Sequence, residues 1–79
     1  MTEKFAAKPT RQWNAGEAAC AQLIVGLKAQ LDLTEPGETL EVVASSTGAS
    51  IDIAVWCRMT GHLLLSADHP AYVIRHKAA

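Results

Sequence analysis

The chain is 79 residues long, with 49% apolar, 19% charged and 5% aromatic residues, which is room for one small globular domain and not two. Seven Lys+Arg against eight Asp+Glu leave a formal charge of −1, which excludes the strongly basic balance of a nucleic-acid module. No apolar run reaches the roughly 18 residues that cross a bilayer, and the opening Met1-Thr2-Glu3-Lys4-Phe5 has no hydrophobic signal core, so a cytoplasmic protein with no membrane partner is expected.

Residues 1–10 hold Lys4, Lys8 and Pro9 with Phe5 as the one large apolar group, and read as a loose N-terminal arm ahead of a single domain over 11–79. A short strand is expected at about Arg11–Asn14. Beyond Gly16, Cys20, Leu23, Ile24, Leu27 and Leu31 recur at three- and four-residue steps and lay one apolar stripe along a helix. Two starts fit this helix. Asn14-Ala15-Gly16-Glu17 reads as a capping box, whereas a start nearer Ala18 would bring Cys20 to the positive end. The helix should end before Pro36-Gly37.

Thr39–Ala44 alternates, with Leu40, Val42 and Ala44 on one face, the pattern of a strand covered on one side. Ser45-Ser46-Thr47-Gly48-Ala49-Ser50 supplies a turn and an N-cap for a second helix, with Ile51, Val55 and Met59 as its apolar spine and Asp52 near its positive end. Gly61 should close that helix. His62–Ser66 and Ala71–His76 are strand-like runs joined by Ala67-Asp68-His69-Pro70, a hairpin. The order strand, helix, strand, helix, strand, strand predicts an α+β two-layer sandwich. Both helices pack on one face of a four-stranded mixed sheet, and the other face is open.

Among candidate reactive groups, Cys20 comes first. A cysteine at a helix start is favoured as thiolate, the nucleophilic form, although its register with Leu23, Ile24, Leu27 and Leu31 equally suits a packed core residue. Cys57, beside Trp56 inside the second helix, reads as a core or half-buried residue, and a Cys20–Cys57 disulfide is disfavoured in reducing surroundings. His62, His69 and His76 are spaced by seven. They fall on a turn and two separate strands with no completing carboxylate or thiol, so no metal site is expected; His62 should instead meet the last carbonyls of the second helix. Arg75, His76 and Lys77 form a basic end that could combine with Arg11 or Arg58, and it reads first as a solvated terminus. Gly-rich phosphate loops, Ser/His/Asp arrangements and paired carboxylates are all missing.

From about Trp13 to Lys77 the sequence resembles the TusA/SirA-like family of small bacterial sulfur-carrier proteins. Gly16, Cys20, Leu23-Ile24, Leu27 and Lys28 stand where the family has Gly, Cys-Pro-x-Pro and an apolar helix carrying Lys. Gly48-Ala49 with Asp52-Ile53, and Gly61-His62 with Leu64-Leu65, resemble its later junctions. Both motif prolines are missing, since Cys20-Ala21-Gln22-Leu23 occupies their place, and Ser46-Thr47 replaces a common Asp-Pro.

The resemblance implies a carrier that accepts a persulfide sulfur on Cys20, needs no cofactor, and relays the sulfur between donor and acceptor proteins. The alternative is a non-catalytic binding or regulatory module in which Cys20 is structural. Thr39, Glu41 and Val43 give the open sheet face a mixed character, so a monomer or weak dimer is expected.

Overall fold

The computed structural model describes residues 11–78, with Cys20 described by its backbone. The arm expected over 1–10 lies outside the described residues. The elements run β1 (Arg11–Gly16), α1 (Cys20–Asp32), β2 (Thr39–Ala44), α2 (Ala49–Thr60), β3 (Leu63–Asp68) and β4 (Ala71–Arg75). This is the expected β-α-β-α-β-β order, and the sheet is four-stranded and mixed, in the order β1-β2-β4-β3. β1 pairs parallel to β2 with Trp13 opposite Val42. β4 pairs antiparallel to β2, with Leu40 opposite Ile74 and Val42 opposite Tyr72, and antiparallel to β3. β1, β2 and β3 therefore point the same way, and α1 and α2 both begin beside their carboxyl ends.

The alternation of β2 is realised as read: Leu40, Val42 and Ala44 are fully buried, on the face where Tyr72 and Ile74 of β4 stand opposite them. Leu23, Leu27 and Leu31 bring the stripe of α1 onto that face, and Trp13, Ala15, Ile24, Trp56 and Leu64 pack around the rim of the core. Tyr72, rather than either tryptophan, is the largest fully buried side chain.

The second helix corrects the sequence reading. Its buried residues are Ala49, Ile53 and Cys57, whereas the expected spine faces solvent, with Ile51 68%, Val55 45% and Met59 77% exposed. Two i, i+4 rows on this helix are apolar, and the row with two small members, Ala49 and Cys57, is the one laid on the sheet. The expected side-chain N-cap is also not formed: Gly48 holds that position without a side-chain hydrogen bond. Gly61 closes α2 in the left-handed conformation, φ 90°, donating its N–H to Cys57 O at 2.9 Å.

α1 ends at Asp32, ahead of Pro36-Gly37. Thr34 sustains that end through its backbone N–H to Leu31 O and its hydroxyl to Gln30 O. Midway along α1, Gly26 has a packing role. A Cβ built there would lie 2.3 Å from Trp13 Cη2 and 2.5 Å from Cζ2, so the bare backbone of α1 is what lets the indole of β1 slide beneath it. Gly→Ala in a helix interior ordinarily stabilises by about 0.5–1 kcal/mol. Here Gly26→Ala is expected to destabilise, because forcing the ring aside costs about 1–3 kcal/mol. Thermal unfolding of Gly26→Ala, Trp13→Leu and the double variant checks this: the alanine should be harmful only while Trp13 is present.

Candidate functional site

β1 ends on Gly16, whose φ of 60° is in the left-handed region. Its N–H is donated to the side-chain oxygen of Asn14 at 2.8 Å, an Asx-type turn. Asn14 is thus occupied in turning the chain and does not cap α1, which removes the early-helix alternative. The carbonyl of Gly16 accepts two bonds from Ser45, one from its N–H at 2.8 Å and one from its hydroxyl at 3.0 Å. Those bonds tie the loop after β1 to the loop after β2, so the segments leading into α1 and α2 are held together.

Ala18 N–H closes a turn on Ala15 O at 3.2 Å, and Ala19 follows in extended conformation, φ −136° and ψ 160°. Cys20 is consequently the first residue of α1. β1 itself runs two residues further than expected, to Gly16, and that extension is what delays the helix to Cys20. Ala19 offers no side-chain cap, and the first turn holds no acidic residue. Among the described residues, neither the cap nor that turn offsets the partial positive charge of the helix N-terminus. At the place of the family's second proline, Leu23 is fully buried. Core packing of Leu23 anchors the first turn, a task that proline performs elsewhere by fixing φ.

The same edge of the sheet carries the start of α2 and the β3–β4 turn. Tyr72, buried beneath α2, has its hydroxyl hydrogen-bonded to His69 Nδ1. Burial raises the Tyr72 pKa, and Ser50 in the first turn of α2 opposes the rise. The turn is tied to the end of β2, where Ala44 N–H reaches Pro70 O at 2.9 Å. The rim around the start of α1 is held by hydrogen bonds rather than by apolar contact alone.

Cys57 lies elsewhere. It faces the core at 3% exposure, and burial pushes its thiol up to about 11. A thiol that is neither ionised nor accessible is chemically inert at neutral pH. Cys57 is therefore expected to resist iodoacetamide in the folded protein and to react only after denaturant is added, which peptide mapping of the labelled chain would show.

The histidines divide differently from their even spacing. His62 and His76 come together, ring centroids 4.7 Å apart, while His69 belongs to the opposite end with Tyr72. Among the described residues no group of three or more His, Cys, Asp or Glu is arranged to hold a metal ion. His62 does not bind the carbonyls that end α2; Lys77 does, its Nζ donating to Thr60 O at 2.9 Å. Lys28 is paired with Asp32 at 3.0 Å on the outer surface of α1, and Arg11 donates to Gln30 Oε1 at 3.1 Å. Arg11 is thus engaged with α1 and not with the basic end at Arg75, His76 and Lys77. The close pair of His62 and His76 escapes sequence reading because it depends on where β4 ends, which no local pattern announces.

No helix among the described residues is long and apolar enough to cross a membrane. The family model for sulfurtransferase TusA matches residues 11–76, the whole of the sheet and both helices. A Bacillus subtilis protein that carries the name of a sulfur carrier, YrkF, is 32% identical over 69 residues, covering 87% of this chain and 37% of its own. Two proteins of Neisseria meningitidis, serogroups A and B, also named as sulfur carriers, are each 36% identical over 62 residues, covering 73% of this chain and 84% of theirs. The chain thus spans little more than a third of the Bacillus relative and most of the Neisseria ones. With that span of match over the same β-α-β-α-β-β order, the chain belongs to the TusA sulfurtransferase family.

Proposed function

We propose that the protein is a sulfur carrier whose Cys20 accepts a persulfide sulfur from one protein and delivers it to another. The observation that carries this reading is the start of α1: the helix begins at Cys20, after an extended Ala19, with no side-chain cap and no acidic residue in its first turn. A thiol at such a position is favoured as thiolate. The thiolate attacks the outer sulfur of a donor persulfide, R–S–S–H. One S–S bond forms as Cys20–S–SH and one breaks, releasing R–S⁻, so no net oxidation occurs and no external oxidant is consumed. In the second step an acceptor thiolate attacks the outer sulfur of Cys20–S–SH by the same exchange, and the Cys20 thiolate is restored.

The family membership, together with the names of the three relatives, supports this role. No cofactor is needed for thiol exchange, and specificity rests on protein partners that can reach the rim formed by the Gly16 and Ser45 loops and the His69-Pro70 turn.

Incubation with a persulfidated donor, followed by mass spectrometry of alkylated peptides, tests the proposal. The expected result is addition of one sulfur atom to the peptide containing Cys20 and none to the peptide containing Cys57. The competing reading, a binding or regulatory module with a structural Cys20, is favoured by the loss of both motif prolines and by the burial of Leu23 in the place of one. It predicts slow alkylation of Cys20 in the folded state and no sulfur uptake. Rapid labelling near neutral pH contradicts it.

A further inference from the structure

At the end of the molecule remote from the start of α1, the chain leaving β4 folds back over the end of α2. His76 is fixed by its backbone, its N–H donating to Glu38 O at 2.8 Å and its carbonyl accepting from Gly37 N–H at 3.0 Å. The next residue, Lys77, makes two contacts with the α2–β3 junction: its backbone N–H reaches His62 Nδ1 at 3.1 Å, and its Nζ reaches Thr60 O at 2.9 Å. The His62 ring lies between Trp56, centroids 5.3 Å apart, and His76, 4.7 Å away and edge-on.

The partners dictate the protonation of both rings. A backbone N–H can only donate, so His62 Nδ1 must present a lone pair to Lys77. A carbonyl can only accept, so His76 Nδ1, 2.7 Å from Lys77 O, carries a proton. The closed arrangement requires a neutral His62 with its proton on Nε2. We propose that His62, His76 and Lys77 form a pH-sensitive clasp that ties the segment after β4 to the end of α2, closed at neutral pH and released in mild acid.

Protonating His62 places a donor against the Lys77 N–H and a cation beside the Lys77 ammonium and the second imidazole. The charged groups facing His62 are His76 and Lys77 from the segment after β4 and Asp32 from the end of α1. Burial, then His76, then Lys77 lower its pKa from 6.5, and Asp32 opposes them. A histidine whose folded pKa is lowered favours the closed form above the unfolded value and loses that support as pH falls through the folded value. The clasp is therefore expected to be intact at pH 7 and to weaken below about 6.5.

Amide hydrogen exchange by NMR on the full chain, corrected for intrinsic rates, reads the clasp directly. Protection of the Lys77 N–H is expected to fall by up to about tenfold per pH unit from about 6.5 down to the lowered pKa of His62 in the closed form and to level off below it, while the core amides of Val42 and Tyr72 stay protected. His62→Asn keeps a hydrogen-bonding amide near the Nδ1 position without a titrating ring, and should make Lys77 protection independent of pH. His76→Asn removes one facing imidazole, and should move the His62 titration upward toward its ordinary value. The clasp is overturned if Lys77 protection follows the core amides at every pH, if it does not change while His62 titrates, or if its pH dependence survives in His62→Asn.

Discussion

Replacing Cys20 by serine is expected to reduce persulfide uptake to background, a loss of roughly a thousandfold or more, because a hydroxyl is not ionised at neutral pH and cannot substitute for a thiolate. The fold should survive. Cys20 opens α1, and the helix is anchored to the sheet further along, through Leu23, Leu27 and Leu31. The variant should therefore still melt as a cooperatively folded domain, with those three anchors in place. Cys57→Ala supplies the opposite control. It removes a buried sulfur and should lower stability while leaving sulfur uptake in place. Mass spectrometry for transfer and thermal melts for stability, run on both variants, separate the two cysteines completely. Uptake that persists in Cys20→Ser and vanishes in Cys57→Ala would overturn the assignment of Cys20.

The largest effect on stability is expected from Ile53→Ala, with Ile51→Ala as its comparison. The two residues are neighbours of identical type on one helix, yet Ile53 is fully buried and Ile51 is 68% exposed. Truncating Ile53 removes apolar contact with the sheet and leaves a cavity, about 2–5 kcal/mol. In a domain of this size each kcal/mol shifts the melting temperature by about 4–8 °C, so the variant should melt at least about 8 °C lower, a loss that at its upper end approaches the whole stability of a small domain. Ile51→Ala should stay within about 0.5 kcal/mol of the parent. Equal effects at the two positions would show that the helix face has been placed wrongly.

How much of the structure is legible in the sequence varies with how many signals bear on each element. β2 is legible in full, because Leu40, Val42 and Ala44 alternate with Thr39, Glu41 and Val43, a face of mixed character, and leave only one buried face. α1 is legible as a stripe but not in its start, since Asn14 carries a capping signal that the chain spends on the turn at Gly16. The same side chain serves either a helix or an Asx turn, and the pairing of β1 with β2 out to Gly16 and Ala44 decides between them. The face of α2 is misread because Ile51, Val55 and Met59 are bulkier than Ala49, Ile53 and Cys57, and hydrophobicity alone ranks the bulkier row first. Close approach of a helix to a sheet selects the other row. Cys20 stands out as the one cysteine near a helix start. Its position as the first helical residue needs the geometry of Ala19.

The two outermost strands share an irregularity. The ladder of β1 shifts between Asn14 and Gly16, and that of β3 shifts between Leu64 and Ser66. Each shift breaks the regular row of backbone groups along a free margin of the sheet, and β3 needs that interruption most, since Leu63 and Leu65 are both exposed beside it. A strand from another molecule finding this margin would lose step after a few residues. The kink thus works against open-ended stacking into fibres, and lets an apolar outer strand persist at the surface.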